Sequence, residues 1–359
     1  MANLDNINAM KELDRENILG NIQDLPDQVE KCWEDWKKVA VPTSFITAKS
    51  VLILGMGGSA QGGGIVASLA RESSNIPIYI LKDYDIPGWV DKNTLVIAAS
   101  YSGNTEETIS ALMQAVKKTD KIITISTGGK VYSIGSQNKA LHYRIHYGSQ
   151  PRAAIGYGLT SIMAIFKKLG LLEITDDDIR EAVLLMRALR KKLDVEIPER
   201  RNSAKMIAGK IFGKIPIVWG AGNLSEVAYR IKGQFNENAK SVSYNEIWPE
   251  LNHNALLGLD YPNDLKQKIF FLVLVSKYNH PRTLLRENIM TQILQQKKLN
   301  YETIMLQPAG NPVAEMWQIL YYGDYISYYL AMLNNVAPEP IEIINFLKNK
   351  LAEVPMEEK

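Results

Sequence analysis

One stretch constrains this chain more than any other: Val51-Leu-Ile-Leu-Gly-Met-Gly-Gly-Ser59, an aliphatic run that stops in glycine. A short run with no polar alternation reads as a strand buried on both faces, the environment of a parallel sheet. Residues 95–99 form a second such run, and it leads into Ser100-Tyr-Ser-Gly-Asn-Thr-Glu-Glu107. Both runs pass through small hydroxyl and glycine residues into a helical pattern. In open α/β sheets ligands sit at the carboxyl ends of strands, and a helix N-terminus offers unpaired N–H groups to an anion. Ser59, Ser100, Ser102 and Thr105 are then hydroxyl donors of a candidate phosphate cradle.

The surrounding pattern places that cradle in a larger plan. Residues 4–40 carry helical spacing through Ile7, Met10 and Leu13, then Val29, Cys32, Trp33 and Trp36, with a break between two short helices at Leu25-Pro26. Residues 50–150 read β-α-β-β-α-β, with strands at 51–54, 77–81, 95–100 and 121–126 and a fifth at 141–145. The first helix is expected from 61 to 72; Ile109, Leu112, Met113 and Val116 form the inward face of the second. Asn104 and Glu107 are expected to form a capping box for that second helix. Residues 151–195 change character: a long helix to about 172, then a charged helix capped at 176–178 and ending near 193.

After Ser203 the first pattern returns. Ile215-Pro-Ile-Val-Trp-Gly-Ala-Gly222 runs into a helix burying Val227, Ile231 and Phe235, followed by strands at 270–276 and 303–306. A unit that occurs twice suggests duplication. The copy has lost its chemistry, because Lys-Tyr-Asn-His-Pro follows Ser276, so only the first half is expected to hold a phosphate. Helices are expected at 313–334 and 341–352. The fold class is α/β, with two doubly wound parallel-sheet domains of three layers. The expected divisions are an N-terminal helical segment (1–45), a phosphate-binding domain (46–150), linker helices (151–195) and a second domain with C-terminal helices (196–359).

Composition removes several classes of function. With 359 residues there is room for two domains, and 46% apolar with 22% charged residues is a globular profile. A net charge of +2 makes no field for nucleic acid, and no run reaches the ~20 apolar residues of a membrane span. The start, Met1-Ala-Asn-Leu-Asp, has no basic leader or apolar core, so a cytoplasmic protein is expected. Cys32 is the single cysteine, which excludes an internal disulfide. His142, His146, His253 and His280 lack the spacing of a metal site, and no metal is expected.

Other residues leave alternatives open. Gly55-Met-Gly-Gly-Ser-Ala60 fits a dinucleotide fingerprint, and Asp83 lies where a ribose-binding acid would be; a ligand-free turn fits equally. The hydroxyls of the second loop favour a single phosphate, since a pyrophosphate needs glycine more than serine. Glu106 and Glu107 suit the helix dipole but must face away from any phosphate. Asn236-Glu-Asn-Ala-Lys240 and Trp248-Pro-Glu-Leu-Asn-His-Asn254 gather short polar side chains in proline-broken segments. Glu237 there is a candidate base or a partner of Arg230 two turns back, and His253 has asparagines on both sides that could set its tautomer. Arg152 precedes Ala153-Ala154, which permits close approach of a small ligand, while Lys348 alone reads as a solvated lysine on the last helix.

Taken together, Gly-Gly-Ser59, the serine loop at 100–107, Pro151-Arg-Ala-Ala154, Asn236-Glu-Asn-Ala-Lys240 and Glu250-Leu-Asn-His-Asn254 resemble the bifunctional phosphoglucose/phosphomannose isomerases, proteins of two sugar-isomerase (SIS) domains. The resemblance runs from about residue 5 to the terminal helix. It implies that Ser59, Ser100, Ser102 and Thr105 bind the substrate phosphate, with Gly58 allowing backbone approach. It implies Glu237 as the base between C1 and C2, Arg152 as the cation beside the enediolate, and His253 as a ring-opening group lent by the second subunit of a homodimer. Lys348 resembles the family's ring-opening lysine. The implied activity is a cofactor-free, metal-independent interconversion of glucose-6-phosphate, and of mannose-6-phosphate, with fructose-6-phosphate. Pro338-Glu-Pro340 departs from the small hydroxyl residue expected near the sugar, which bears on the balance between the two aldoses. The chemistry is coherent: a proton α to a carbonyl needs an aligned carboxylate and a fixed positive charge at the enediolate. The competing readings are a non-catalytic sugar-phosphate sensor, an isomerase of a pentose or heptulose phosphate, and a nicotinamide-dependent oxidoreductase.

Overall fold

The computed structural model describes residues 3–354. Three helices come first, α1 (Ile7–Leu13), α2 (Ile18–Gln23) and α3 (Leu25–Lys37). The expected break beside Leu25-Pro26 is present at Asp24, between α2 and α3, but the residues before it form two helices rather than one. Pro26 opens α3, where its missing N–H costs nothing because the first turn has no intrahelical acceptor. Val29, Cys32, Trp33 and Trp36 are all buried. Burial pushes the Cys32 thiol up to about 12, so this cysteine is an inert core residue.

The first sheet is built from β1 (Ser50–Leu54), α4 (Gly57–Leu69), β2 (Ile78–Leu81), β3 (Thr94–Ala99), α5 (Glu106–Ala115), β4 (Ile122–Ser126), α6 (Gly129–Gln137) and β5 (Leu141–Arg144). All neighbours run parallel in the order β2-β1-β3-β4-β5. β1 and β3 are adjacent, with Leu54 opposite Ala98, so their glycine and serine turns emerge side by side. That is the switch point of a doubly wound sheet, where strand order reverses. Two details differ from expectation. α4 starts at Gly57 rather than near 61 because Gly57 takes a φ of +51°, which lets the chain turn into the helix at once. The capping box does not form: Thr105 is the N-cap of α5, and Asn104 Oδ1 accepts from the backbone of Lys130 at 3.1 Å instead.

A 3-10 turn at Pro151–Ala154 leads into α7 (Ile155–Lys168), and α8 (Asp176–Leu193) follows. α8 is capped by Thr175, whose hydroxyl accepts from Asp178 N at 3.1 Å while the Asp178 carboxylate accepts from Thr175 N at 2.7 Å. α7 packs on α3 and α4, and α8 packs on α3.

The second half contains α9 (Ser203–Ile211), β6 (Ile215–Gly220), α10 (Ser225–Glu237), β7 (Tyr244–Ile247), α11 (Leu265–Lys268), β8 (Ile269–Leu274), α12 (Pro281–Gln296), β9 (Tyr301–Ile304), α13 (Pro312–Leu333) and α14 (Glu342–Ala352). Its sheet is parallel in the order β7-β6-β8-β9. β7 is a strand the sequence reading lacked, since Tyr-Asn-Glu-Ile on an edge has too little apolar patterning to register. Val227, Ile231 and Phe235 are buried, as their spacing predicts. α13 lies against α8, α9 and α10, and its 3% exposed Asp324 interrupts an otherwise apolar centre. No helix among the described residues is long and apolar enough to cross a membrane.

The two halves meet where α4 crosses α10. Successive glycines of α4 face three different neighbours. A Cβ on Gly62 would lie 3.4 Å from Leu159 of α7, one on Gly63 2.9 Å from Ile53 of β1, and one on Gly64 2.5 Å from Glu226 of α10. Of these, the approach at Gly64 brings α4 against α10 of the second half.

Candidate active site

The phosphate-cradle residues converge at the carboxyl ends of β1 and β3. Gly58 and Ser59 occupy the first turn of α4, and neither α4 nor α5 has a side-chain cap on its N-terminus. The first N–H groups of α5, and those of Gly57 and Gly58 in α4, are therefore open to an anion, while Ser59 N donates to Met56 O at 3.1 Å. Ser100 is buried, and its Oγ shares a 2.8 Å hydrogen bond with Thr105 Oγ1. Ser102 Oγ accepts from Asn104 N at 3.2 Å. The loop is braced from behind by the turn after β4, through Thr127 N to Tyr101 O at 2.8 Å and Val131 N to Gly103 O at 2.9 Å. Gly103 has a φ of +69°, and a Cβ there would collide with Gly128 O.

Arg152 joins this cradle to the second half. Gly58 faces the 3-10 turn, its Cβ position 3.8 Å from Pro151 O and 3.9 Å from the Arg152 Cα. The Arg152 side chain is only 3% exposed and its donors are directed in three ways. Nε donates to Asn238 Oδ1 at 2.8 Å, and Nη2 donates to the carbonyls of Pro338 at 2.7 Å and Glu339 at 3.1 Å. Nη1 lies 3.5 Å from Glu237 Oε2. Burial opposes the Arg152 charge and Glu237 supports it. Asn238 is held in turn by Ser327 of α13, to whose Oγ it donates at 3.0 Å.

Glu237 is the last residue of α10, half-buried, and lines an open cleft of about 530 Å³ with Asn236, Lys240, Val336, Pro340 and Ile343. The alternative pairing of Glu237 with Arg230 is corrected. Arg230 is buried and lies 3.5 Å from Asp324, while Nη2 donates to the backbone carbonyl of Arg152 at 2.7 Å and Nη1 to Gln61 Oε1 of α4 at 3.4 Å. A buried guanidinium pairs with the buried carboxylate, leaving Glu237 to Arg152.

Other candidates are placed differently. His253 ends a 3-10 turn, Glu250–His253; it is exposed and makes no hydrogen bond or ion pair with any described residue. The adjacent asparagines do not set its tautomer: Asn252 accepts from Arg286, and Asn254 accepts from Ala255 N. Lys348 is exposed on α14 and also has no polar partner among the described residues. Asp83 folds back to accept from Tyr84 N at 2.7 Å, the geometry of a turn residue. Burial first, and then Glu107, Glu106 and Asp83, raise the pKa of the Tyr84 phenol, so the two glutamates act on the 82–86 loop. Among the described residues no group of three or more His, Cys, Asp and Glu could hold a metal ion.

Sequence reasoning missed Lys240, Asn238, Arg230 and Asp324 as parts of this network. Asn238 and Lys240 sit inside the quoted motif, but nothing in their spacing marks them. Asp324 did carry a signal: one acid among Tyr321-Tyr-Gly-Asp-Tyr-Ile326 demands a buried cation.

Comparison with known proteins agrees with this architecture. A model described as SIS domain matches residues 44–169, and one described as bacterial phospho-glucose isomerase C-terminal SIS domain matches residues 200–351. A bifunctional phosphoglucose/phosphomannose isomerase of Caldicellulosiruptor bescii is 39% identical over 336 residues, covering 93% of this chain and 98% of the relative. The chain belongs to the bifunctional phosphoglucose/phosphomannose isomerase family. A second member, from Aquifex aeolicus, is 32% identical and aligns over 89% of this chain and 94% of its own length. The fold is also that of the C-terminal domain of glucosamine-fructose-6-phosphate aminotransferase from Francisella tularensis, with a TM-score of 0.69 at 16% identity over 90% of this chain and 98% of that one. For a member of this family, the two sheets and their glycine-turn helices are a pair of SIS domains in one chain.

Proposed function

We propose that this chain interconverts aldose and ketose hexose phosphates: glucose-6-phosphate, and mannose-6-phosphate, with fructose-6-phosphate. The observation that carries the reading is the chain of contacts from Gly58 to Arg152 to Glu237. It sets a hydroxyl-lined anion cradle, a buried cation and a half-buried carboxylate along one path, which is what an anchored sugar undergoing proton transfer requires.

In this reading Ser59, Ser100, Ser102 and Thr105, with the free N–H groups of α4 and α5, hold the phosphate. Binding energy at the phosphate orients the open-chain sugar. Glu237 takes the proton from C2 and returns it to C1, and Arg152 stabilises the enediolate oxygens from a geometry imposed by Asn238, Pro338 and Glu339. Rotation about C2–C3 lets one carboxylate serve both hexose epimers. We assign ring opening to His253 from a second subunit and to Lys348. A homodimer is supported by the exposure of both residues and by α14, which has no buried residue although it carries Ile343, Ile344, Phe346, Leu347 and Leu351.

The test is an exchange assay with fructose-6-phosphate in deuterated water, followed by product identification. Deuterium at C1 or C2 with aldose 6-phosphates as products is expected. Saturable binding without exchange would replace catalysis by sensing.

A further inference from the structure

We propose that Lys240 is a catalytic residue of this site, passing a proton between O1 and O2 of the sugar while Glu237 passes the carbon-bound proton between C2 and C1. The proposal rests on the isomerase reading above and assigns a step that reading leaves without a residue.

The geometry places the ammonium where the reaction needs it. Lys240 Nζ donates to the backbone carbonyl of Glu237 at 2.6 Å and to Pro338 O at 2.9 Å. Pro338 O also accepts from Arg152 Nη2 at 2.7 Å, so two cations converge on one oxygen beside the Glu237 carboxylate. An ammonium has three N–H donors; two are held by carbonyls, and the third is left for the cleft that Lys240 lines. A lysine that only caps α10 would need the Glu237 carbonyl alone. Here the second acceptor belongs to the opposite wall. Lys240 has a φ of +54°, the left-handed turn that closes α10, where Ser241 N donates to Phe235 O at 3.1 Å.

Its neighbours make the group exchangeable. Lys240 is exposed on the cleft side, and partial desolvation first, and then Arg152, lower its pKa to about 8, against opposing contributions from Glu237 and Glu339. Glu342 of α14 lines the same cleft. A lysine tuned near working pH gives and recovers a proton with little bias. Arg152 does not, because a guanidinium stays protonated in proteins. The two cations thus divide the work: Arg152 supplies fixed charge and Lys240 the mobile proton.

The step balances. Starting from the aldose, Glu237 removes the C2 proton as the Lys240 ammonium protonates O1, giving the enediol, and Arg152 stabilises the negative charge that develops on O1 and O2 before each proton arrives. The Lys240 amine then takes the O2 proton as the C2 carbonyl forms, and Glu237 delivers its proton to C1. Carboxylate and ammonium are regenerated, and no outside oxidant or reductant is consumed.

The experiment compares the full-length wild type with Lys240→Gln and Lys240→Arg on fructose-6-phosphate, recording kcat, KM and deuterium incorporation from pH 6 to 10. Lys240→Gln is expected to lose about 100-fold in kcat, with KM within about threefold of wild type. Lys240→Arg keeps the charge and both carbonyl contacts and is expected to be impaired alike, and the alkaline limb near pH 8 is expected to vanish from both variants. Rescue by arginine to within about threefold, or a limb that persists in Lys240→Gln, would overturn the assignment. A wild type that exchanges no deuterium removes the isomerase reading itself, whereas exchange by wild type beside an undiminished Lys240→Gln removes Lys240 alone. Thermal unfolding of each variant checks the fold, and Lys240→Arg stands as the test if the glutamine variant is unstable.

Discussion

Among single residues, Glu237 and Glu287 show how environment separates two carboxylates that look alike in the sequence. Glu237 ends a helix, half-exposed in a cleft and 3.5 Å from a buried arginine. Replacing it with glutamine keeps the shape but removes the base, so turnover is expected to fall by at least about 1,000-fold while sugar-phosphate affinity, read by calorimetry, stays near wild type. Turnover within tenfold would remove it as the base. Glu287 is buried on α12 in the second domain, accepts from Asn279 Nδ2 at 2.7 Å, and has no partner for its other oxygen. Burial raises its pKa to about 7, against an ordinary 4.5. A carboxyl whose folded pKa is raised contributes fully below its unfolded pKa and loses that contribution as pH rises through the folded one. Wild-type stability is therefore expected to decline between about pH 4.5 and 7, by up to about 3 kcal/mol. Glu287→Gln should lack that decline and unfold later than wild type at pH 8. Chemical denaturation at several pH values measures both.

At the scale of elements, the two glycine-turn helices do different work from the same pattern. α4 presents Gly58 and Ser59 on a first turn with no side-chain cap, whereas the turn before α10 is filled by the chain itself. Asn279 Oδ1 sits 2.4 Å from where a Cβ of Gly222 would be, and the Ser276 hydroxyl donates to Glu315. Glu287 and Glu315 occupy the place beside that turn, held by Asn279 and Ser276. The degraded motif after Ser276 was legible in the sequence; the carboxylates that replace the anion site were not, because they arrive from α12 and α13. α10 instead ends in Glu237, the residue proposed as the base, and it is pressed onto α13 at Gly323, where a Cβ would lie 2.4 Å from Ile231 Cγ1. Gly323→Ala is expected to destabilise by about 1–3 kcal/mol in urea unfolding, through overpacking beside Arg230 and Asp324. An unchanged midpoint would mean that the two helices separate more easily than their contact implies.

For the molecule as a whole, α14 is an apolar helix with no buried residue. Ile343 is 86% exposed and Phe346 64%. An apolar face of that kind marks an interface, and a second copy would bring covering surface and His253 together. Phe346→Glu with Leu347→Glu is expected to shift the chain from dimer to monomer in light scattering and to reduce turnover. A wild type already monomeric at micromolar concentration would remove the homodimer and His253's place in it.

What the sequence by itself determined is everything written in local periodicity and turn chemistry. The aliphatic runs before Gly55 and Ser100 specify buried parallel strands, their small-residue ends specify helix entries, and the repeat after Ser203 specifies a second sheet. Edge strand β7 and the start of α4 escaped because a half-polar strand and a left-handed glycine leave no periodic mark. Tertiary structure alone decided the partnerships. Arg152 meets Glu237, Arg230 meets Asp324, and Lys240 meets Pro338 across separations of 85, 94 and 98 residues. The physical reason is that a buried charge takes whichever opposite charge or carbonyl the packing brings within reach, and packing here depends on glycines of α4 that let α7, β1 and α10 approach.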